Sequence, residues 1–297
     1  MKVIVFGGSG FVGSHVADSL SDEGYRVTIF DKTISHYLRN DQEMIIGDIL
    51  DPDAVSDAIE GHDYVYNFAG VADLDDATTR PVDTVRQNIQ GTVSILEACR
   101  SERVRRLVYA STVYVYSERG GFYRCSKQAA ELYIEEYQRK YGLEYTILRY
   151  GTVYGPRADE SNSVYRYLKQ ALTGRKIVCS ASGKEMREYI YIKDAAKLSV
   201  QILSDKKHIN NHIIITGHHP MRFTDFLNMI NEILGNNIEI ELTSADTDSA
   251  HYNMTPYSFT PKIGYKLTTD CYLDMGQGLL ECINGINLEQ SQGLRKD

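Results

Sequence analysis

Short apolar runs, rich in β-branched residues, alternate with amphipathic stretches along the first half of the chain. Apolar runs bounded by glycine or polar residues are typical of buried strands, and apolar residues three or four apart are typical of helices. The pattern predicts strands at residues 2–6, 26–30, 43–46, 63–68, 106–110 and 145–149. It predicts helices at residues 11–23, 53–59, 82–100 and 126–141. Repeated strand–helix–strand units form a parallel sheet covered on both faces, so we expect an α/β protein with a doubly wound, Rossmann-type sheet.

The pattern changes after Gly155-Pro156. The segment that follows is less regular and rich in serine and asparagine, with one predicted helix at 164–173. A strand near 212–216 can return to the sheet. We therefore expect residues 1–155 with this returning strand to form one domain, and residues 156–297 to form mainly a smaller, mixed α/β domain.

Composition and charge narrow the class of protein. Apolar residues make up 42% of the chain, which is enough for a full core. The net charge of −8 predicts no nucleic-acid partner. No apolar stretch approaches the roughly 20 residues that span a bilayer, and the first residues do not have the form of a signal peptide. The five cysteines are odd in number and contain no C-x-x-C pair, and no ligand cluster is visible, so we expect free thiols, no metal and a cytoplasmic protein.

A glycine pattern lies between the first predicted strand and the first predicted helix. Gly7, Gly10 and Gly13 are three residues apart, with Phe11 and Val12 between the last two. The first glycine permits a tight turn, the second lets the backbone approach a diphosphate, and the third lets the helix pack closely on the strand. Free N–H groups at the helix start then face that anion, so this segment predicts a dinucleotide site.

Residues that follow the next strands predict which dinucleotide is bound. Asp31 ends the second strand, where a carboxylate accepts hydrogen bonds from the adenosine ribose and repels a 2′-phosphate, which favours NAD over NADP. Lys32 is a neighbouring cation that would tolerate such a phosphate. Asp48 and Ile49 follow the third strand and are expected beside the adenine, and Ala69 follows the fourth strand and leaves room for the cofactor.

A tyrosine and a lysine form the candidate catalytic pair. Tyr123 and Lys127 are four residues apart at the start of a predicted helix, so both side chains lie on one face. A nearby ammonium and a positive nicotinamide ring are expected to move the pKa of the phenol down from about 10 towards a useful range. Thr112 ends the fifth strand, at the sheet edge where parallel sheets bind ligands, and its hydroxyl can bridge Tyr123 and a substrate hydroxyl.

These motifs together resemble the extended short-chain dehydrogenase/reductase family, in its nucleotide-sugar epimerase/dehydratase branch. The resemblance covers the chain from Met1 to about Ile283. It rests on the glycine pattern and on four further segments, Ser111-Thr112…Val115-Tyr116, Tyr123-x-x-x-Lys127, Leu148-Arg149-Tyr150-Gly151-Thr152-Val153-Tyr154-Gly155-Pro156 and Arg187-Glu188-Tyr189-Ile190-Tyr191-Ile192-Lys193-Asp194.

The resemblance implies roles for individual residues. Thr112, Tyr123 and Lys127 would be the catalytic triad, and Tyr123 and Lys127 would also contact the cofactor. A nucleoside-diphosphate sugar would be contacted by Asn88, Thr152 and Arg187, of which the arginine would meet the diphosphate. Residues 1–155 would then bind NAD and residues 156–297 mainly the substrate. The helices at 82–100 and 126–141 would pair across a homodimer.

The chain departs from the family pattern at three places. Val113-Tyr114 stand where 4,6-dehydratases carry Asp-Glu, so dehydration is disfavoured. The segment 117–122 is shorter than the usual loop and contains no proline. Thr152 replaces an asparagine found in many members.

The resulting prediction is reversible hydride transfer at a sugar carbon, C4 in first place, catalysed by an NAD-dependent epimerase. An epimerase needs no group beyond the triad. A dehydrogenase, ketoreductase or 4,6-dehydratase of the same family stays open, as does a non-catalytic NAD-sensing protein on the same fold.

Overall fold

The computed structural model describes residues 1–243, 254–256, 264–268 and 272–291. Its strands are β1 (Lys2–Phe6), β2 (Arg26–Asp31), β3 (Gln42–Ile46), β4 (Tyr64–Asn67), β5 (Arg106–Thr112), β6 (Tyr145–Tyr150), β7 (Thr152–Tyr154), β8 (Lys176–Ser180), β9 (Met186–Tyr191), β10 (Asn211–Ile215), β11 (Pro220–Arg222), β12 (Glu239–Thr243) and β13 (Tyr265–Lys266). Its α-helices are α1 (Phe11–Asp22), α2 (Pro52–Ile59), α3 (Leu74–Thr79), α4 (Pro81–Val85), α5 (Gly91–Ser101), α6 (Gly121–Tyr141), α7 (Ser163–Gly174), α8 (Ile192–Gln201), α9 (Phe223–Ile233) and α10 (Met275–Ser291). None of the helices in these ranges is long and apolar enough to cross a membrane.

The described chain divides into two compact units. Of the described residues, the first contains 1–150, 196–215, 256 and 264–267, and the second contains 151–195, 216–243, 254–255, 268 and 272–291. The first unit takes two later segments of the chain, whereas the sequence predicted the return of only one strand. The last segment joins the first unit through strand pairing between residues that are far apart in sequence. Such pairing leaves no signal in the local sequence pattern.

A parallel sheet forms the centre of the first unit. Its strand order is β13-β10-β6-β5-β4-β1-β2-β3, and every neighbouring pair is parallel. This order contains the doubly wound order 3-2-1-4-5-6, so the predicted fold class is confirmed. The order reverses between β1 and β4, and ligands of such sheets bind outside the carboxyl ends of the strands near this point.

Apolar side chains of the strands and of three helices form the core on one face of this sheet. Val55 and Ile59 of α2, Ile95 of α5 and Ile134 of α6 are at most 1% exposed and pack against the strands. Truncating one such residue to alanine costs about 2–5 kcal/mol. This packing holds the strand ends that carry the candidate site in fixed positions.

The second unit contains small sheets and helices. β11, β9 and β7 form one sheet, and β12 and β8 form a second, parallel pair. Helices α7, α9 and α10 belong to this unit, and α7 contains the helix that the sequence predicted at 164–173. The mixed α/β character expected for the later part of the chain is confirmed.

One predicted helix is interrupted. The sequence predicted a continuous helix at 82–100, but a π-helical turn, Arg86–Gln90, separates α4 from α5. Its middle residue, Asn88, is 1% exposed. Such turns are frequent at functional sites.

Candidate active site

The glycine turn after β1 has no room for side-chain atoms. Gly7 has φ +75°, and a Cβ there would lie 2.6 Å from the backbone nitrogen of Ala69. A Cβ on Gly13 would lie 2.2 Å from the Gly7 carbonyl oxygen, and one on Gly10 would lie 3.3 Å from the same oxygen. Helix and strand are therefore closer here than any other residue type permits.

The start of α1 fits a diphosphate. Gly10 is its N-cap and provides no side chain to bond the first amides of the helix. Phe11 and Val12 occupy the first helical positions and are partly exposed. An anion at this end is stabilised by the N–H groups and by the helix dipole. The chain thus fits a dinucleotide cofactor at the position that the sequence predicted.

Asp31 lies at the end of β2, next to the glycine turn. Its Oδ2 accepts a hydrogen bond from the Ser9 N–H at 3.0 Å, and its Oδ1 accepts one from the Thr33 N–H at 3.2 Å. These bonds fix the direction of a carboxylate that stays partly exposed. The negative charge at this place favours ribose hydroxyls over a phosphate.

The cation beside Asp31 is paired. Lys32 Nζ lies 3.1 Å from Asp48 Oδ2 in an exposed ion pair, with which a 2′-phosphate would compete for the ammonium. Asp48 Oδ1 also accepts a hydrogen bond from the Leu50 N–H at 2.9 Å. The Ile49 side chain, 3% exposed, packs in the core, so it is not available to the adenine, and any contact from Ile49 would come from its backbone. The contacts of Asp48 and Ile49 with a cofactor stay predictions.

Asn88 holds the segment that follows β4. Its Oδ1 accepts a hydrogen bond from the Val71 N–H at 2.7 Å, and its Nδ2 donates to the Val71 carbonyl at 2.9 Å and to Ser126 Oγ at 2.8 Å. Ala69, partly exposed, lies just before this clamp. The sequence predicted that the Asn88 amide contacts substrate. In the structure this amide makes its hydrogen bonds within the protein, where it joins the loop after β4 to the first turns of α6.

Thr112, Tyr123 and Lys127 come together at the carboxyl ends of the strands. Thr112 ends β5 and shares a side-chain hydrogen bond with Tyr123. Lys127 Nζ donates to the Ala110 carbonyl at 2.8 Å and lies 5.9 Å from the centre of the Tyr123 ring. Helix α6 begins at Gly121, five residues before the predicted start at 126, so both Tyr123 and Lys127 lie in its first turns.

Burial controls the acidity of this pair. It raises the pKa of Tyr123 to about 12, against the hydrogen bond with Thr112, which lowers it. It lowers the pKa of Lys127 to about 8, against the neighbouring Glu131, which raises it. The sequence predicted a lowering of the Tyr123 pKa by the Lys127 ammonium together with a bound, positive nicotinamide ring. In the chain alone, desolvation of the phenol raises this pKa above its ordinary value, and the lowering by the complete site stays a prediction.

A buried charge pair, which the sequence pattern did not indicate, joins α6 to β6. Glu131 and Arg149 are 2% and 0% exposed, and Arg149 Nη2 lies 2.5 Å from Glu131 Oε2. Glu131 Oε1 also accepts from Ser111 Oγ at 2.5 Å, and Arg149 donates to the Tyr116 hydroxyl. An arginine within the apolar strand at 145–149 and a glutamate one helical turn after Lys127 were the available signals.

Thr152 and Arg187 belong to the second unit. Thr152 is in β7 and is the register partner of Tyr189 in β9, the strand that also carries Arg187. Arg187 is partly buried and donates from Nη1 to the Met186 carbonyl at 3.1 Å. The structure places these two predicted substrate residues on neighbouring strands. Their contact with substrate stays a prediction.

The described part of the chain contains no group of three or more histidine, cysteine or carboxylate side chains arranged to hold a metal ion.

Comparison with known proteins finds one family. The model of the NAD dependent epimerase/dehydratase family matches residues 3–216. A putative UDP-glucose 4-epimerase of Methanocaldococcus jannaschii is 31% identical over 231 residues, which are 70% of this chain and 75% of that protein. A UDP-N-acetyl-alpha-D-glucosaminuronate decarboxylase of Bacillus cytotoxicus is 28% identical over 73% of this chain and 74% of that protein.

Solved structures of similar fold bind nucleotide sugars. The UDP-glucose 4-epimerase of Thermotoga maritima, solved with UDP-glucose, has a TM-score of 0.85 and 24% identity, over 98% of this chain and 100% of that chain. The UDP-glucuronic acid 4-epimerase of Bacillus cereus, solved with UDP-glucuronic acid and NAD, has a TM-score of 0.85 and 25% identity, over 97% of this chain and 99% of that chain.

Proposed function

The chain belongs to the NAD-dependent epimerase/dehydratase family, and from this premise we propose that it is a nucleotide-sugar epimerase that transfers a hydride reversibly at C4 of the sugar. The observation that carries the proposal is the meeting of Thr112, Tyr123 and Lys127 at the sheet edge that also carries the glycine turn. NAD is the cofactor of this family of enzymes. When bound, it supplies the hydride acceptor and donor and, in its oxidised form, a positive ring.

Tyr123 is the proton acceptor in this proposal. Its phenolate takes the proton of the sugar hydroxyl while the carbon-bound hydrogen leaves as hydride, and a ketone forms. With a pKa of about 12 in the chain alone, the phenol needs added positive charge to act near neutral pH. The ammonium of Lys127 and the positive ring of the cofactor supply that charge, and the Thr112 hydroxyl donates to the phenolate oxygen.

The lack of carboxyl groups at two positions favours epimerisation over elimination. Val113 and Tyr114 occupy the positions of the dehydratase acid and base, and neither carries a carboxyl group. An epimerase needs only that the ketone turn over, that the hydride return to its opposite face and that Tyr123 return the proton. A 4,6-dehydratase would need a further acid and base.

The substrate contacts are part of the proposal. A guanidinium suits a diphosphate because its donors are planar and paired, so we assign this contact to Arg187. Thr152 lies on the neighbouring strand, and its register partner Tyr189 is two residues from Arg187. We assign the contact with the sugar to Thr152. Asn88 would act through the loop it holds.

The test is a panel of UDP-, GDP- and dTDP-sugars incubated with the purified protein and NAD, with products identified by NMR. We expect a C4 epimer from at least one of them. In Tyr123→Phe, turnover should fall by about 10²–10⁴-fold, because proton transfer is lost, while the melting temperature stays unchanged. No epimer and no cofactor reduction with any sugar would contradict the proposal, and a released ketone with reduced cofactor would show a dehydrogenase.

We further propose that the protein is a homodimer. Apolar side chains are exposed on the adjacent helices α4 and α6, among them Val82 at 64%, Val85 at 53%, Leu132 at 59% and Tyr133 at 47%. A second copy with the same surface would cover them symmetrically. Sedimentation that shows only monomer at micromolar concentration would contradict this assembly.

A further inference from the structure

A second tyrosine lies beside the candidate catalytic tyrosine. The Tyr114 and Tyr123 rings meet edge-on, with centroids 6.3 Å apart and planes at 75°. The Tyr114 N–H also donates to Thr112 Oγ1 at 3.2 Å. Tyr114 therefore contacts two members of the triad, the threonine through its backbone and the tyrosine through its ring. Edge-to-face pairs of this kind are worth about 0.5–1.5 kcal/mol beyond the area they bury.

The short turn after Tyr114 is shaped around its ring. Gly120 has φ +94°, and a Cβ there would lie 2.7 Å from Tyr114 Cδ1 and 3.1 Å from the Arg124 Cβ. Gly120 is also the N-cap of α6, the helix that carries Tyr123. A longer side chain at this position would displace the ring or the start of the helix.

Three hydrogen bonds close this turn onto α6. The Ser117 N–H donates to the Tyr114 carbonyl at 2.9 Å, Arg124 Nη1 donates to the Ser117 carbonyl at 2.9 Å, and the Arg124 N–H donates to the Gly120 carbonyl at 3.0 Å. We call Tyr114, Ser117, Gly120 and Arg124 the Tyr114 clasp. The clasp joins the end of β5 to the first turn of α6.

We propose that Tyr114 is a positioning residue for the reaction, whose ring, held by the clasp, keeps the Tyr123 phenol against Thr112 and shields it from water. This inference rests on the proposed function for its effect on turnover. A misplacement of about 1 Å at a reacting group costs up to about a hundredfold in rate, so a ring that fixes the phenol has a measurable effect.

Kinetics of Tyr114→Ala and Tyr114→Phe test the proposal. We expect Tyr114→Ala to lower kcat by about tenfold to a hundredfold with little change in KM, because an oriented group is lost and binding is not. The acid limb of its kcat–pH profile should move to lower pH, because water reaches the phenol and the desolvation that raises the Tyr123 pKa weakens. Tyr114→Phe keeps the ring and should restore both kcat and the position of the limb.

The matched control is Tyr141→Ala at the other end of α6. Tyr141 pairs with Tyr137, with ring centroids 5.3 Å apart, so the same chemical group is removed from a similar pair on the same helix. Its kcat and pH limb should stay at wild-type values. Unchanged kinetics in Tyr114→Ala, or an unmoved pH limb with only a lower melting temperature, would overturn the proposal. A Tyr114→Phe variant as impaired as Tyr114→Ala would overturn the role of the ring.

A second measurement does not need turnover. In protein labelled with ¹³C at the tyrosine Cζ, the Tyr123 signal is assigned by its loss in Tyr123→Phe. We expect it to begin titrating at lower pH in Tyr114→Ala than in the wild type and in Tyr114→Phe. Equal onsets in all three would overturn the inference. If the wild type turns over no sugar, the proposed function fails, and this titration still decides the position of Tyr114.

Discussion

The glycine turn and the catalytic segment lie at the same edge of one sheet, but different forces hold them. The glycine turn depends on the absence of side-chain atoms, since a Cβ on Gly13 would lie 2.2 Å from the Gly7 carbonyl oxygen. The catalytic segment depends on the presence of side chains, since Glu131, one helical turn after Lys127, forms a buried charge pair with Arg149. The first region should therefore fail when atoms are added, and the second when atoms or charges are removed.

The largest effect on folding is expected from the buried pair. Glu131→Ala leaves the Arg149 guanidinium buried without its negatively charged partner, and we expect the free energy of unfolding to fall by about 3–5 kcal/mol. Urea denaturation measures this loss. In the double variant Glu131→Leu/Arg149→Met both charges are gone, and most of the stability should return, because apolar residues of similar size tolerate such a site.

Glu136→Ala is the control for this prediction. Glu136 pairs with Arg139 on the same helix at 2.8 Å, with both side chains more than half exposed. Its loss should cost no more than about 0.5 kcal/mol. If Glu131→Ala were equally mild, the catalytic segment would not depend on its buried charges.

The glycine turn should respond to a single added methyl group. Gly13→Ala places a Cβ within 2.2 Å of a backbone oxygen that cannot move without shifting the turn. We expect a loss of about 1–3 kcal/mol in the free energy of unfolding and a clear loss of NAD affinity, because the diphosphate site is displaced. Urea denaturation and calorimetric NAD titration measure the two.

Gly174→Ala is the matched control, since a Cβ there meets no atom within 4 Å. Its stability and NAD affinity should stay close to those of the wild type. A tolerated Gly13→Ala would contradict the view that empty space defines the first region.

Because Lys127 is buried, we expect the free energy of unfolding to depend on pH. The glycine turn contributes no such dependence. The pKa of Lys127 is lowered to about 8 in the folded chain, so between this value and its ordinary pKa the unfolded chain binds more protons. Stability contributed through Lys127 therefore rises with pH above about 8, by about 2 kcal/mol up to pH 10. Tyr123 lowers the stability as pH rises, but only above pH 10, because its raised pKa disfavours the ionised form in the folded chain.

Chemical denaturation of the cofactor-free protein at pH 8 and pH 10 measures this rise. In Lys127→Met the rise should disappear, whereas in Lys140→Met, at an exposed position on the same helix, it should remain. The same slope in Lys127→Met and in the wild type would show that Lys127 is not desolvated.

The smallest effect is expected at the edge of the glycine turn. Lys32 and Asp48 are 49% and 43% exposed, and Lys32→Ala should change the free energy of unfolding by less than about 1 kcal/mol. NAD should still bind in preference to NADP, because Asp31 keeps its negative charge. Competitive titration with both dinucleotides tests this, and a preference that reversed would show that Lys32 and not Asp31 selects the cofactor.

Local pattern was sufficient for seven of the eight strands of the main sheet, all but β13, and for the cofactor turn. The predicted strands at 2–6 and 106–110 lie within β1 and β5, and the glycine spacing indicated contacts that depend on a few neighbouring residues. The parallel pair β8 and β12 was not predicted, because its two strands are more than fifty residues apart and the pairing is decided by contacts between them. The π-helical turn at Asn88 was missed for a similar reason, since its amide partners, Val71 and Ser126, come from other segments.

The sequence by itself determined the doubly wound fold, the cofactor class and the identity of the candidate triad, because these follow from short periodicities and fixed spacings. Only the tertiary structure decided how acidic Tyr123 is, which charges support it and what stands beside it. Burial, the Glu131–Arg149 pair and the Tyr114 ring come from segments that meet only in the folded chain. Desolvation and packing depend on all the atoms around a group, and that environment is not written in the spacing of residues along the chain.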